Sequence, residues 1–97
     1  MSVAPTAVVI PNIQTIEEGQ RTRLLCKVTG SPKPVVEWNR VGGVLDNNHI
    51  IEGNVLRVVN VTTADEGVYV CIAENKKGVE QATAVIIVKG KIEFLIQ

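Results

Sequence analysis

Asp65-Glu66-Gly67-Val68-Tyr69-Val70-Cys71 is the stretch that decides how this chain folds. Side chains of an extended strand alternate between two faces, so Tyr69, Cys71 and Ala73 share one face. The same period of two recurs upstream: Thr22, Leu24, Cys26 and Val28 form one inward set, and Val36 and Trp38 another. Leu56 and Val58 make a third, with Val61 following after a bend. Downstream, Ala82, Ala84, Ile86 and Val88 make a fourth. Ala7 to Ile10 opens the chain as a strand that Pro11 breaks, and Ile13 to Glu17 continues it along a second sheet. Turn residues separate the runs, at Gly19, at Gly30 to Pro34, at Gly42-Gly43, at Asp46-Asn47-Asn48 and at Asn75 to Gly78. A short edge segment is expected between the two middle turns, and His49 to Ile51 reads as a further short strand. No helical period persists, so the sequence predicts an all-β chain whose inner faces meet on two cysteines and one tryptophan.

A chain of 97 residues makes one domain with an adequate core and no more. Residues 5–90 carry the pattern. Residues 1–4 read as a linker or an expression-derived leader, and the chain as one module of a longer protein. Residues 91–97 read as a linker, the opening of a next domain or an added tail; their apolar Ile92, Phe94, Leu95 and Ile96 would also suit pairing with an edge strand of another copy. Ten basic and ten acidic side chains cancel, which argues against a dedicated nucleic-acid or membrane-surface binder. No apolar run approaches the roughly 20 residues of a membrane-spanning helix. Two cysteines at this spacing suit an oxidising compartment, with a reduced buried pair in a cytosolic domain as the alternative.

The run Ile16-x-x-Gly19, Leu24-x-Cys26, Gly30-x-Pro32-x-Pro34-x-Val36-x-Trp38, Leu56-x-Val58-x-x-Val61 and Asp65-x-Gly67-x-Tyr69-x-Cys71-x-Ala73-x-Asn75-x-x-Gly78 resembles the I-set of immunoglobulin domains. The resemblance implies a two-sheet antiparallel Greek-key sandwich with one inter-sheet disulfide, Cys26 to Cys71. It also implies a core built on Leu24, Trp38 and Leu56. Tyr69 would be the corner tyrosine whose hydroxyl returns to the backbone, with Asp65 bracing that corner. Glu17-Glu18-Gly19-Gln20, Val28 to Pro34 and Ala84 to Gly90 are most similar to the immunoglobulin repeats of perlecan-type matrix proteoglycans and related extracellular tandem arrays.

Catalytic chemistry is not expected. His49 is the sole histidine, the carboxylates are scattered, and no nucleophile–base pair or metal-ligand set offers itself. His49 reads as a loop or edge-strand residue. No cofactor or metal is expected.

Function is then expected on the residues that point outward. Val35, Val68, Val70, Ile72, Val85 and Ile87 fall on one outer face and read as a contiguous apolar strip, a candidate protein-binding or self-association face. The alternative is that β-branched residues simply suit strand surfaces. On the opposite sheet Arg21, Arg23, Lys27 and Arg57 read as a positive stripe and a candidate face for a sulfated glycosaminoglycan, or as a solvated face with Glu17, Glu18 and Glu52 as counter-charges. Asn60-Val61-Thr62 is an N-glycosylation sequon. The resemblance implies a non-enzymatic extracellular module of a matrix or adhesion protein, acting as spacer and protein-binding unit beside neighbouring immunoglobulin domains. The other reading is an intracellular sarcomeric or cytoskeletal domain acting as a mechanical link.

Overall fold

The computed structural model describes residues 1–90; the expectations for residues 91–97 lie outside the described residues. Eight strands follow in order: β1 Val3–Ile10, β2 Ile13–Glu17, β3 Thr22–Ser31, β4 Val35–Arg40, β5 His49–Glu52, β6 Val55–Val58, β7 Gly67–Asn75 and β8 Gly78–Lys89. One turn of 3₁₀-helix, Thr63–Asp65, joins β6 to β7. β1 starts at Val3, paired with Ser31, two residues ahead of the expected domain start. β3 runs on through Gly30 and Ser31, which the sequence assigns to a loop. No strand forms between β4 and β5, where a short edge segment is expected.

The strands make two sheets, β1-β3-β6-β5 and β2-β8-β7-β4. Pairing is antiparallel except between β2 and β8, which run parallel from Ile13↔Val85 to Glu17↔Lys89. The parallel pair follows from the break at Pro11: a ring without an N–H cannot continue a ladder. The chain therefore leaves the first sheet after Ile10 and joins the second at Ile13 without reversing.

The inward registers meet as the alternation requires. Leu24, Cys26, Leu56 and Val58 from one sheet face Trp38, Tyr69, Cys71, Ala84 and Ile86 from the other, and Val9 and Val61 complete the cluster. The Cys26–Cys71 disulfide crosses between the sheets at its centre. Each large aliphatic side chain buried here stabilises by about 1.5–3 kcal/mol relative to exposure. The Trp38 indole N–H donates to the Asn54 carbonyl at 3.2 Å, so the ring is buried without an orphaned donor.

Candidate interaction surfaces

The corner after β6 carries the chain from one sheet to the other. Tyr69 is fully buried, and its hydroxyl donates to the Asp65 carbonyl at 2.7 Å. The Asp65 carboxylate, only 2% exposed, accepts from the Thr62 amide at 2.8 Å and from Asn48 Nδ2 at 2.9 Å. His49 is more than an edge-strand residue: its side chain is fully buried, with Nε2 at 3.3 Å from Asp65 Oδ1 and 3.2 Å from the Tyr69 hydroxyl. The Asp46 amide donates to His49 Nδ1 at 3.0 Å, so the neutral ring carries its proton on Nε2, facing the carboxylate. Arg40 closes the other side. Its guanidinium lies 5.4 Å from the Tyr69 ring centroid and donates to the carbonyls of Ala64 and Glu66. Sequence reasoning missed the roles of Arg40 and His49, because Asp65, Tyr69 and the 3₁₀ turn that they contact lie sixteen or more positions away and no local pattern marks them.

The outer face of the β2-β8-β7-β4 sheet corrects one expectation. Register places Asn39 and Thr83 on either side of Val70, and Val70 is only 9% exposed. The expected strip, continuous along β7 through Val68, Val70 and Ile72, is therefore interrupted in its exposure at Val70. Asn39, Val70 and Thr83, then Glu37, Ile72 and Gln81, form a largely polar middle. Val35, 75% exposed, stands beyond it next to Glu74 and the exposed Val79. The apolar side chains that do gather lie at the other end: Ile13, Val85 and Val68 form one cross-strand row, and Ile87 follows on β8. Ile13 is 62% exposed, Val68 and Ile87 are exposed as well, and Val85 is half-buried. Val41, whose amide donates to the Val68 carbonyl at 2.9 Å, extends the row. Ile13 was missed because the sequence gives the register of each strand but not which strands are neighbours.

On the opposite sheet Arg23 and Lys27 are exposed on β3, and Arg21 is exposed immediately before it. Arg23 stands directly across from Arg57 of β6, while Lys27 is two outward positions away, beside Val8. Arg57 is half-buried and pairs with Glu52 through Nη1–Oε1 at 2.8 Å. Asn60 is exposed just past β6, in the left-handed conformation at φ 48°, which asparagine tolerates better than most residues.

Among the described residues no three potential ligands gather to hold a metal ion, and no helix is long and apolar enough to cross a membrane. The family described as "Immunoglobulin domain" matches residues 4–75. This chain belongs to the immunoglobulin-domain family. It is similar to the mouse basement membrane-specific heparan sulfate proteoglycan core protein, 39% identical over 76 residues, which is 78% of this chain and 2% of that protein. Among solved structures it resembles the full ectodomain of mouse nectin-like molecule 4, with a TM-score of 0.86 and 31% identity, covering 98% of this chain and 33% of that one. It also resembles a chimeric titin Z1Z2 carrying an exogenous decorin peptide, with a TM-score of 0.79 and 27% identity, covering 94% and 99%. The chain thus spans a small part of the proteoglycan and a third of the nectin-like ectodomain.

Proposed function

We propose that this immunoglobulin domain is a non-enzymatic extracellular module of a tandem-repeat matrix or adhesion protein, holding its neighbours at fixed spacing and binding protein through the β2-β8-β7-β4 sheet. The row Ile13–Val85–Val68 with Ile87 carries the reading. It is an exposed apolar cluster on a sheet held rigid by the disulfide and the Tyr69 corner, the kind of patch that a protein partner covers. Likeness to a matrix proteoglycan and to a cell-surface ectodomain supports the location. An N-glycan on Asn60 fits the same reading, because that side chain is exposed and lies off the apolar row.

Two measurements test this. Mass spectrometry of the protein from its native source should find the Cys26–Cys71 bridge and a glycan on Asn60. Light scattering, with binding to flanking domains, should lose association when Ile13 and Val68 are both changed to Glu. Reduced cysteines with an unmodified Asn60 would favour the second reading, an intracellular mechanical link, which the likeness to titin supports. Unchanged association by a folded double variant would remove the face from the proposal.

A further inference from the structure

The outer face of β3 carries a feature that stability alone does not explain. Arg23 and Arg57 are direct cross-strand neighbours, and like charges so placed are destabilising. Arg21 adds a third cation two positions along the same face. One carboxylate, Glu52, answers Arg57; among the described residues Arg21 and Arg23 have no ion-pair partner. These side chains border shallow, open depressions in the sheet surface. Arg21, Thr22, Arg23, Arg57 and Val59 line a concavity of about 320 Å³. A second, of about 330 Å³, adjoins it at Arg21 and Val59 and reaches Gln20 and Asn60. A third, also about 330 Å³, adjoins it at Arg23 and has an apolar wall of Ile10, Leu25 and Val55. The three lie in series along β3, and Lys27 stands beyond the last. Arg21 immediately precedes β3, and six steps of extended chain from it to Lys27 span about 20 Å.

We propose that this groove binds a linear sulfated polysaccharide, its sulfates on Arg21, Arg23, Arg57 and Lys27 and the C–H faces of its sugar rings on Leu25, Ile10 and Val55. Guanidinium forks suit anionic oxygens and are weakly hydrated, so they give up water readily. The apolar wall distinguishes the ligand. A single-stranded nucleic acid would need aromatic platforms for its bases, but Trp38 and Tyr69, the aromatic side chains among the described residues, are buried in the core. An anion between Arg23 and Arg57 would also relieve their repulsion. The proposal shares the extracellular location with the proposed function and is independent of the apolar face on the other sheet.

The test uses protein produced without glycosylation, since a glycan on Asn60 would stand at the groove's rim. Titration with a size-defined heparin oligosaccharide should show binding at about 0.15 M salt that weakens as salt rises. The Arg21→Gln/Arg23→Gln double variant should bind at least tenfold more weakly, with a flatter salt dependence and an unchanged or slightly raised melting temperature. Lys76→Gln/Lys77→Gln, which removes the same charge from the β7–β8 turn, should bind as the parent does. Equal losses in both double variants would reduce the effect to net charge and overturn the proposal. So would binding of the desulfated oligosaccharide, a polyglutamate peptide or single-stranded DNA as tight as that of heparin. Association through Ile13 and Val68 should persist in the arginine variant, so failure here is separable from failure of the proposed function.

Discussion

Tyr69 shows how one side chain converts a sequence motif into a rigid corner. Its ring fills the core end beneath Arg40, and its hydroxyl has one backbone acceptor, the Asp65 carbonyl four residues upstream. Tyr69→Phe leaves that acceptor unpaired and removes a contact of His49 Nε2, so it should destabilise the domain by about 1–3 kcal/mol in denaturant unfolding. The same residue gives a pH signature. Burial pushes its hydroxyl above the ordinary value of 10.0; Arg40 pulls the other way, and Asp65 and Asp46 add to the rise. Because the folded value is raised, the protonated form is the one the fold favours. Its contribution is complete below pH 10 and is lost as pH rises through the folded value. Tyr69 is the sole tyrosine, so the tyrosinate absorbance reports it directly. The midpoint should lie above 10 in the folded domain and near 10 in denaturant, and Tyr69→Phe should lack this part of the alkaline stability loss. The corner tyrosine and its aspartate were expected from the resemblance to I-set immunoglobulin domains. The burial of Val70 was not: the alternation turned it outward, but it stands between Thr83 of the adjoining hairpin strand and Asn39, thirty-one positions upstream, whose strand the local pattern does not place beside it.

At the level of strands and turns, a clasp at one end ties β1, β3 and the β7–β8 turn together. Asn75 Nδ2 donates to the Val3 carbonyl at 2.8 Å and to the Pro32 carbonyl at 3.0 Å, while its Oδ1 accepts from the Lys77 amide at 2.8 Å. Gly30 lies against this clasp at φ +144°, a backbone conformation that side-chain-bearing residues rarely adopt. A Cβ there would stand 3.0 Å from Pro34 Cγ, 3.1 Å from Asn75 Nδ2 and 3.2 Å from the Pro5 backbone. Gly30→Ala should therefore cost about 1–3 kcal/mol, through left-handed backbone strain and crowding together. Asn75→Ala should cost about 1–2 kcal/mol for its lost hydrogen bonds. Since the added methyl pushes on the amide that Asn75→Ala removes, the two losses should be less than additive in a double-mutant cycle. Full additivity would show that the clasp and the glycine act separately. The sequence marks Asn75 and Gly30 as turn residues and no more, because their shared task depends on β1 coming alongside the turn. The same gap in knowledge hid Ile13, whose outward side chain joins Val85 and Val68 only once β2 is laid parallel to β8.

For the whole molecule, the question is how much of the sandwich depends on its one covalent cross-link. Cys26 and Cys71 are separated by 45 residues, and closing a loop of that size stabilises by about 4 kcal/mol when the unfolded chain is taken to lose only entropy. Single domains have total stabilities of about 5–15 kcal/mol, so the bridge is a large share of the margin without being the fold's only support. The rest comes from the burial of Leu24, Trp38, Leu56, Val58, Tyr69 and Ile86, a contribution that does not itself require the covalent link. The double variant Cys26→Ala/Cys71→Ala should accordingly fold at low temperature with both outer faces intact. Its melting temperature should fall by roughly 15–30 °C, since each kcal/mol moves a domain of this size by about 4–8 °C. A variant unfolded at every temperature would mean that the core contributes less than its burial implies. A variant as stable as the parent would mean that the bridge is dispensable, and would weaken the case for an extracellular setting in which such bridges persist.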